Sequence, residues 1–230
     1  MVMVGTEDRS NYVVGVDLGQ SHDPTAIGVI ERTDTYELHH WVRERGINDA
    51  EARRKKDVPP RFALRHLERL PLGMSYPAQV DKVQTVRARL PQRTELVIDR
   101  TGVGRAVFDI FRSHGVRAQA VDITAGDGAS QSSDGWRVSK KDLVSRLQAL
   151  LHQGHLKIAK GMPEAQALVK ELQDFRVTFT QAGNPTFNAR EGQHDDLVLA
   201  VAIACWWSAM PSRSVTAHRL QWQGLSAKVV

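Results

Sequence analysis

Apolar positions along this chain come in short continuous runs first and in helical spacing later. The first run, Val13-Val14-Gly15-Val16, is closed by Asp17-Leu18-Gly19, and a second fills residues 25–30 after a loop at 20–23. β-Branched runs of this length bounded by turn residues read as buried strands. Residues 1–11 are polar and aperiodic, and read as a flexible leader. Thr33-Asp34-Thr35 reads as a turn that sends residues 36–42 back as a third strand, so the sheet opens on an antiparallel hairpin. Residues 43–61 carry Arg53-Arg54-Lys55-Lys56 and then Pro59-Pro60, the pattern of a basic surface insertion. Residues 62–70 are strand-like again, and Pro71, Gly73 and Pro77 break the run. Val80, Val83, Val86 and Leu90 then have the spacing of an amphipathic helix over 78–90.

The second half repeats the opening device. Leu96-Val97-Ile98 ends on Asp99, Gly102 and Gly104 permit a tight strand-to-helix turn, and Val107, Phe108, Ile110 and Phe111 give the next helix its buried face. With a further strand over 116–123 this is a β-α-β unit, which makes that part of the sheet parallel. Residues 125–135, rich in Gly, Ser and Asp, read as a mobile loop. Ser139 and Asp142 form a capping box for a helix whose stripe is Leu143, Leu147, Leu150 and Leu151, and Gly154 ends it. Pro163 opens another helix through Leu168 and Leu172, and residues 175–187 alternate around 182–185 as a hairpin. Gly192-Gln193-His194-Asp195-Asp196 precedes an apolar helix over 197–210 that must be buried. Beyond Pro211 the residues lack period and read as a flexible tail, 211–230. The expected architecture is one α/β domain over 12–210, with a mixed central sheet flanked by helices on both faces.

Composition adds little to this and excludes more. The apolar fraction of 41% is that of an ordinary globular protein, and one cysteine, Cys205, rules out an internal disulfide. Lys and Arg outnumber Asp and Glu by 31 to 26, which is compatible with a polyanionic partner. The longest apolar run, 197–207, is too short to span a bilayer, so the expectation is a cytoplasmic protein with no membrane partner.

Three acidic stations carry the candidate chemistry: Asp17 and Asp99 at strand ends, and Asp195 with Asp196 at the head of a buried helix. Neighbouring parallel strands place their C-terminal ends side by side, and a helix crossing that end completes a pocket of carboxylates. Such a donor set suits Mg²⁺ or Mn²⁺, whereas zinc wants His and Cys ligands that this chain does not cluster. Two such ions roughly 3.5–4 Å apart activate water and stabilise a leaving oxygen in phosphodiester hydrolysis. Taken singly, each acid has a blander explanation: a strand-end Asp forms turns, and paired Asp at a helix start is favoured by the helix dipole. His194 reads as a local hydrogen bonder or an occasional metal ligand. Arg53, Arg54, Lys55 and Lys56 read either as solvated charge or as contacts to a phosphate backbone.

The order of strands, helices and acids resembles the ribonuclease H-like nuclease superfamily. Within it, Val16-Asp17 with Asp23-Pro24-Thr25-Ala26, Ile98-Asp99-Arg100-Thr101-Gly102-Val103-Gly104, Ser139-Lys140-Lys141-Asp142-Leu143 and His194-Asp195-Asp196-Leu197-Val198-Leu199-Ala200 together resemble the nuclease domain of tailed-phage terminase large subunits. The resemblance implies a metal-dependent endonuclease that cuts concatemeric double-stranded DNA during genome packaging in a bacterial host. It implies Asp17 as the ligand bridging two ions, Asp99 as the second and Asp195 or Asp196 as the third, a choice that spacing leaves open because neighbours on a helix point about 100° apart. Lys140 and Lys141 become candidates for holding DNA phosphate.

No G-x-x-x-x-G-K-[ST] segment occurs and few residues precede Asp17, so neither ATP hydrolysis nor translocation is expected of these residues. An excised domain or a separately encoded nuclease fits, beside a packaging ATPase, a small terminase subunit and a portal. A junction resolvase of the same superfamily is the nearest alternative. An actin-like ATPase would need a second phosphate loop that is missing, and a non-catalytic DNA-binding or packaging module has no use for gathered carboxylates.

Overall fold

Two long strands set the frame. In the computed structural model, which describes residues 2–19, 23–41, 50–91, 93–102, 104–159, 161–179, 185–188 and 194–210, β1 (Val2–Asp17) and β2 (Ala26–Trp41) pair antiparallel from Asp17 opposite Ala26 to Val2 opposite His40. The expected tail 211–230, residues 43–49 of the basic insertion, Val42 at the end of the expected third strand, the 20–22 part of the first loop and residues 180–184 of the late hairpin lie outside the described residues.

Both strands outrun the apolar segments that announce them. The polar stretch expected to be a leader is the first part of β1, and Thr33-Asp34-Thr35, expected to turn, continues β2. Their polar residues are held by partners remote in sequence: Thr35 Oγ1 donates to Asp8 at 2.7 Å, and Asp34, 3% exposed, is gripped by Arg32 and by Lys55. β3 (Ala50–Lys55) pairs with the far half of β2, so Arg53, Arg54 and Lys55 sit in a strand where an irregular insertion was expected. Arg53 meets Glu7 at 3.0 Å and Lys55 meets Asp34 at 2.7 Å. β4 (Arg61–Arg69) pairs with the near half of β2, ending with Arg69 opposite Ala26.

α1 (Tyr76–Ala88) begins ahead of its expected start because Pro77 falls in its first turn, where no backbone N–H is needed. β5 (Glu95–Asp99) runs parallel to β1 on the side away from β2. Gly102, with φ of 58°, and Gly104, where a β-carbon would lie 2.2 Å from the Asp99 carbonyl, make the sharp turn into α2 (Gly104–Ser113). β6 (Gln119–Thr124) is parallel to β5, as the β-α-β reading requires.

The stretch expected to be a mobile loop forms a hairpin, β7 (Ala129–Ser132) and β8 (Gly135–Ser139). All four residues of β7 are exposed, so no alternation of apolar residues marks it. Ser139 caps α3 (Lys140–His152) by accepting from the Asp142 amide at 3.0 Å, as its spacing predicts. β9 (Leu156–Ile158), too short for any pattern, adds parallel to β4. α4 (Ala165–Asp174), a separate two-stranded sheet of β10 (Arg176–Phe179) and β11 (Pro185–Asn188), and α5 (Asp196–Ser208) complete the described chain.

The main sheet runs β7-β8-β6-β5-β1-β2-β4-β9, with β3 also on β2. Helices cover both faces. Val80, Val83, Val107 and Phe111 of α1 and α2 pack with Val14, Val16, Ile27 and Ile98 on one side. Residues of α3, α4 and α5 pack with Val13, Ala26, Ile30 and Val97 on the other. All 13 residues of α5 are buried, since it lies between the sheet and α3 and α4. Glycine lets it settle closely: a β-carbon on Gly15 would stand 2.2 Å from the Ala200 carbonyl oxygen and 2.9 Å from Ala204 Cβ.

Candidate metal centre

Strand alternation decides where the acids point. Val13 and Gly15 face α5, so Asp17 two residues on faces it too, and the same count from Val97 turns Asp99 to that side. β1 and β5 are parallel neighbours with Val16 beside Ile98, which brings the two strand-end carboxylates to one edge. α5 runs back over this face. Near its C-terminus Trp207 Nε1 donates to Glu95 at 2.7 Å, at the start of β5, and at its N-terminus Asp196 accepts from Arg69 at the end of β4, level with Asp17, so the helix crosses the sheet and carries Asp195 and Asp196 to the same edge.

The electrostatics agree with that convergence. Burial pushes the Asp17 carboxyl well above the ordinary range, and Asp99, Asp195 and Asp196 push it further, while Lys140 opposes them. Burial also raises Asp99, against the Thr101 hydroxyl and amide, which donate to its Oδ1 at 2.5 and 2.8 Å. Thr101 Oγ1 accepts in turn from the Ile123 amide at 2.8 Å. Arg100, next to Asp99, is tied to Asp122 at 2.7 Å and Asp134 at 3.0 Å, which fastens the β7–β8 turn to the end of β5.

Asp195 and Asp196 have different partners. Asp195 Oδ2 accepts from Lys140 Nζ at 2.6 Å, and the same ammonium lies 5.7 Å from the Phe175 ring centroid. Asp196, 3% exposed, accepts from Arg69 Nε at 2.7 Å, and Arg69 also binds Glu171. Burial raises the Asp196 carboxyl in spite of Arg69. Glu171 is raised to about 7, by burial first and then by Asp196. The sequence pattern passed over Arg69 and Glu171. The available signals were an Arg closing β4 level with Asp17, and an acid between Leu168 and Leu172 on a buried stripe.

The remaining candidates fall elsewhere. His194 Nδ1 is 3.6 Å from Asp23 Oδ1, and both side chains are exposed. Lys141 pairs with exposed Asp127 at 3.0 Å. Arg53, Arg54, Lys55 and Lys56 lie by the opposite end of β1: Lys55 stands opposite Tyr36, itself opposite Glu7, and the run from Glu7 to Asp17 spans roughly 33 Å at the rise of a strand.

Among the described residues no three acidic, His or Cys side chains stand close enough to make a preformed metal cage. The donor set still fits a hard cation. It consists of carboxylates near enough to Asp17 to raise its affinity for protons, and a divalent ion relieves the same repulsion.

An antiparallel β1-β2-β4 start, parallel β5 and β6, acids at the ends of the two central strands and a last helix closing over them define a ribonuclease H-like fold. The chain belongs to the Terminase RNaseH-like domain family, which matches residues 70–205 and so takes in Asp99, Lys140, Glu171, Asp195 and Asp196 but not Asp17. It is 26% identical over 109 residues to the terminase large subunit of Thermus phage G20c, an alignment covering 47% of this chain and 19% of that protein. The aligned stretch is therefore about a fifth of the relative's length. Among solved structures, the magnesium-bound large terminase nuclease of the thermophilic phage G20c superposes with a TM-score of 0.57 at 23% identity, covering 86% of this chain and 81% of that one. The large terminase nuclease domain of Thermus phage P74-26 gives 0.54 at 22% identity, covering 85% and 78%. No helix among the described residues is long and apolar enough to cross a membrane.

Proposed function

We propose that this chain is a metal-dependent DNA endonuclease of the phage terminase type, cutting concatemeric double-stranded DNA during genome packaging. The observation that carries the reading is the convergence of Asp17, Asp99 and Asp195 from two parallel strands and a buried helix, in a member of the terminase nuclease family. The carboxylate-only donor set suits Mg²⁺ or Mn²⁺, and the G20c nuclease has been crystallised with magnesium. A pair of such ions supplies an activated water and stabilises the leaving oxygen of a phosphodiester.

Asp17 would be the central ligand of a divalent centre, with Asp99 and Asp195 as its companions, a reading supported by the effect of both acids on the Asp17 carboxyl. Thr101 holds one Asp99 oxygen by two hydrogen bonds and so fixes the rotation of that carboxylate. The hydrogen bonds favour Asp195 over Asp196 as the third ligand, because Asp196 is already gripped by Arg69. Lys140 neutralises Asp195 in the described conformation, and stands where it can pass to an incoming phosphate once that carboxylate is taken up. His194 is left as an outlying hydrogen bonder, and Lys141 as a charge near the DNA path. The expected partners are double-stranded DNA, a packaging ATPase, a small terminase subunit and a portal, in the cytoplasm of the host.

The test is incubation with supercoiled plasmid in EDTA, in Mg²⁺ and in Mn²⁺, beside Asp17→Ala and Asp99→Ala. Cutting that needs both metal and each acid is the expected result. Binding without cutting under every divalent ion would favour a non-catalytic DNA-binding module, and preference for four-way junctions over linear duplex would favour a resolvase.

A further inference from the structure

An aspartate at a helix N-cap ordinarily accepts a hydrogen bond from the amide two or three residues on. Asp195 holds the N-cap position of α5 and makes no such bond, its carboxylate being turned instead to Lys140. The amide it leaves, on Val198 at the third helical position, donates to Glu171 Oε2 at 3.1 Å. Glu171 comes from α4, is 8% exposed, and places its other oxygen on Arg69. Arg69 in turn spans the Asp196 carboxylate, at 2.7 Å to one oxygen and 3.4 Å to the other. The first turn of a buried helix cannot leave its amides unpaired, and here a side chain from another helix supplies the acceptor.

We propose that Glu171 is a positioning residue for the metal centre: by accepting the Val198 amide in place of Asp195, it leaves the Asp195 carboxylate turned to the edge shared by Asp17 and Asp99, where a divalent cation can use it. The inference rests on the reading of Asp195 as a metal ligand. Without Glu171 the Val198 amide is orphaned, and the acceptor within reach is the Asp195 side chain, which swings back to cap its own helix. Arg69 and Asp196 then hold the start of α5 in place while the ligand beside them points the wrong way.

The test is Mn²⁺ binding by titration calorimetry to the metal-free full chain, comparing wild type with Glu171→Ala, Glu171→Gln and Asp195→Ala, with circular dichroism to follow folding. Glu171→Ala should weaken Mn²⁺ about 10- to 100-fold, the usual effect of losing a group that orients a ligand. Glu171→Gln keeps an oxygen for the Val198 amide and should stay within about threefold of wild type. Wild-type binding by Asp195→Ala would sink the metal-ligand reading and this inference with it. Loss in Asp195→Ala with none in Glu171→Ala would overturn this inference alone, as would a Gln variant as weak as the Ala variant. If Glu171→Ala does not fold, Glu171→Gln decides: about a tenfold loss of affinity in that folded variant refutes the capping role.

Discussion

Gly15→Ala is the sharpest probe of how the site is assembled, because one methyl group separates the strand from the helix that closes it. A β-carbon there would stand 2.2 Å from the Ala200 carbonyl oxygen, where about 3.5 Å is comfortable. The obstacle is backbone in the middle of a buried helix, so α5 must lift by about 1 Å, and gaps of that size forfeit a quarter to a half of each van der Waals contact. Overpacking of this kind costs about 3 kcal/mol, the upper end of its usual range. Alanine in a strand regains about 0.5–1 kcal/mol by restricting the unfolded chain, leaving a net loss of about 2 kcal/mol. For a domain of this size that lowers Tm by about 4–8 °C. Because α5 carries Asp195, a shift of about 1 Å should also cost about 100-fold in cleavage rate. Two controls share the strand setting. Gly28→Ala meets a Val201 methyl at 3.2 Å, which can yield, and Gly5→Ala meets nothing within 4 Å. Thermal melts and plasmid cleavage on all three should rank Gly15→Ala far below Gly28→Ala, and Gly28→Ala just below Gly5→Ala. A Gly15→Ala protein that melts and cuts like Gly5→Ala would refute the close seating of α5 on β1.

Asp17 should penalise the metal-free fold. Burial and three neighbouring acids raise its carboxyl in the folded state, so folding favours the protonated form. The resulting stability is full below the ordinary carboxylate pKa and is lost as pH rises through the raised folded value. Asp17→Asn should therefore melt higher than wild type in EDTA at neutral pH, with a shallower fall of Tm from acid to neutral; superimposable profiles would contradict this. The two groups of cations should also separate. Lys140→Gln should weaken duplex binding across sequences and reduce the salt slope by about 1. Arg53→Gln with Arg54→Gln should leave cutting of a duplex of about ten base pairs unchanged, since β3 lies roughly 33 Å from Asp17 and such a duplex reaches only about 17 Å either way. An equal loss in both would mean that DNA runs along the whole sheet.

Much of the frame could be read from the linear pattern because burial on one side leaves a local trace. The β-branched runs ending on Asp17 and Asp99, the Ser139 cap and the uniformly apolar α5 each report their environment through near neighbours in sequence. The misreadings share one cause. The polar halves of β1 and β2, the exposed β7–β8 hairpin and the three-residue β9 are held by cross-strand pairing, with ion pairs such as Arg53–Glu7 and Lys55–Asp34 between residues far apart in the chain. No periodicity records a partner that is brought in by folding.

The same division runs through the site. Sequence alone determined which acids end the central strands and open the last helix, since that follows from residue type and the length of apolar runs. Tertiary structure alone decided that Asp195 turns to Lys140 while Asp196 is bound by Arg69, and that Glu171 takes the Val198 amide. Two adjacent aspartates are alike until the fold supplies their partners, because a carboxylate's role is set by the donors that reach it, and here those come from β4 and α3, while α4 supplies the acceptor for the helix amide.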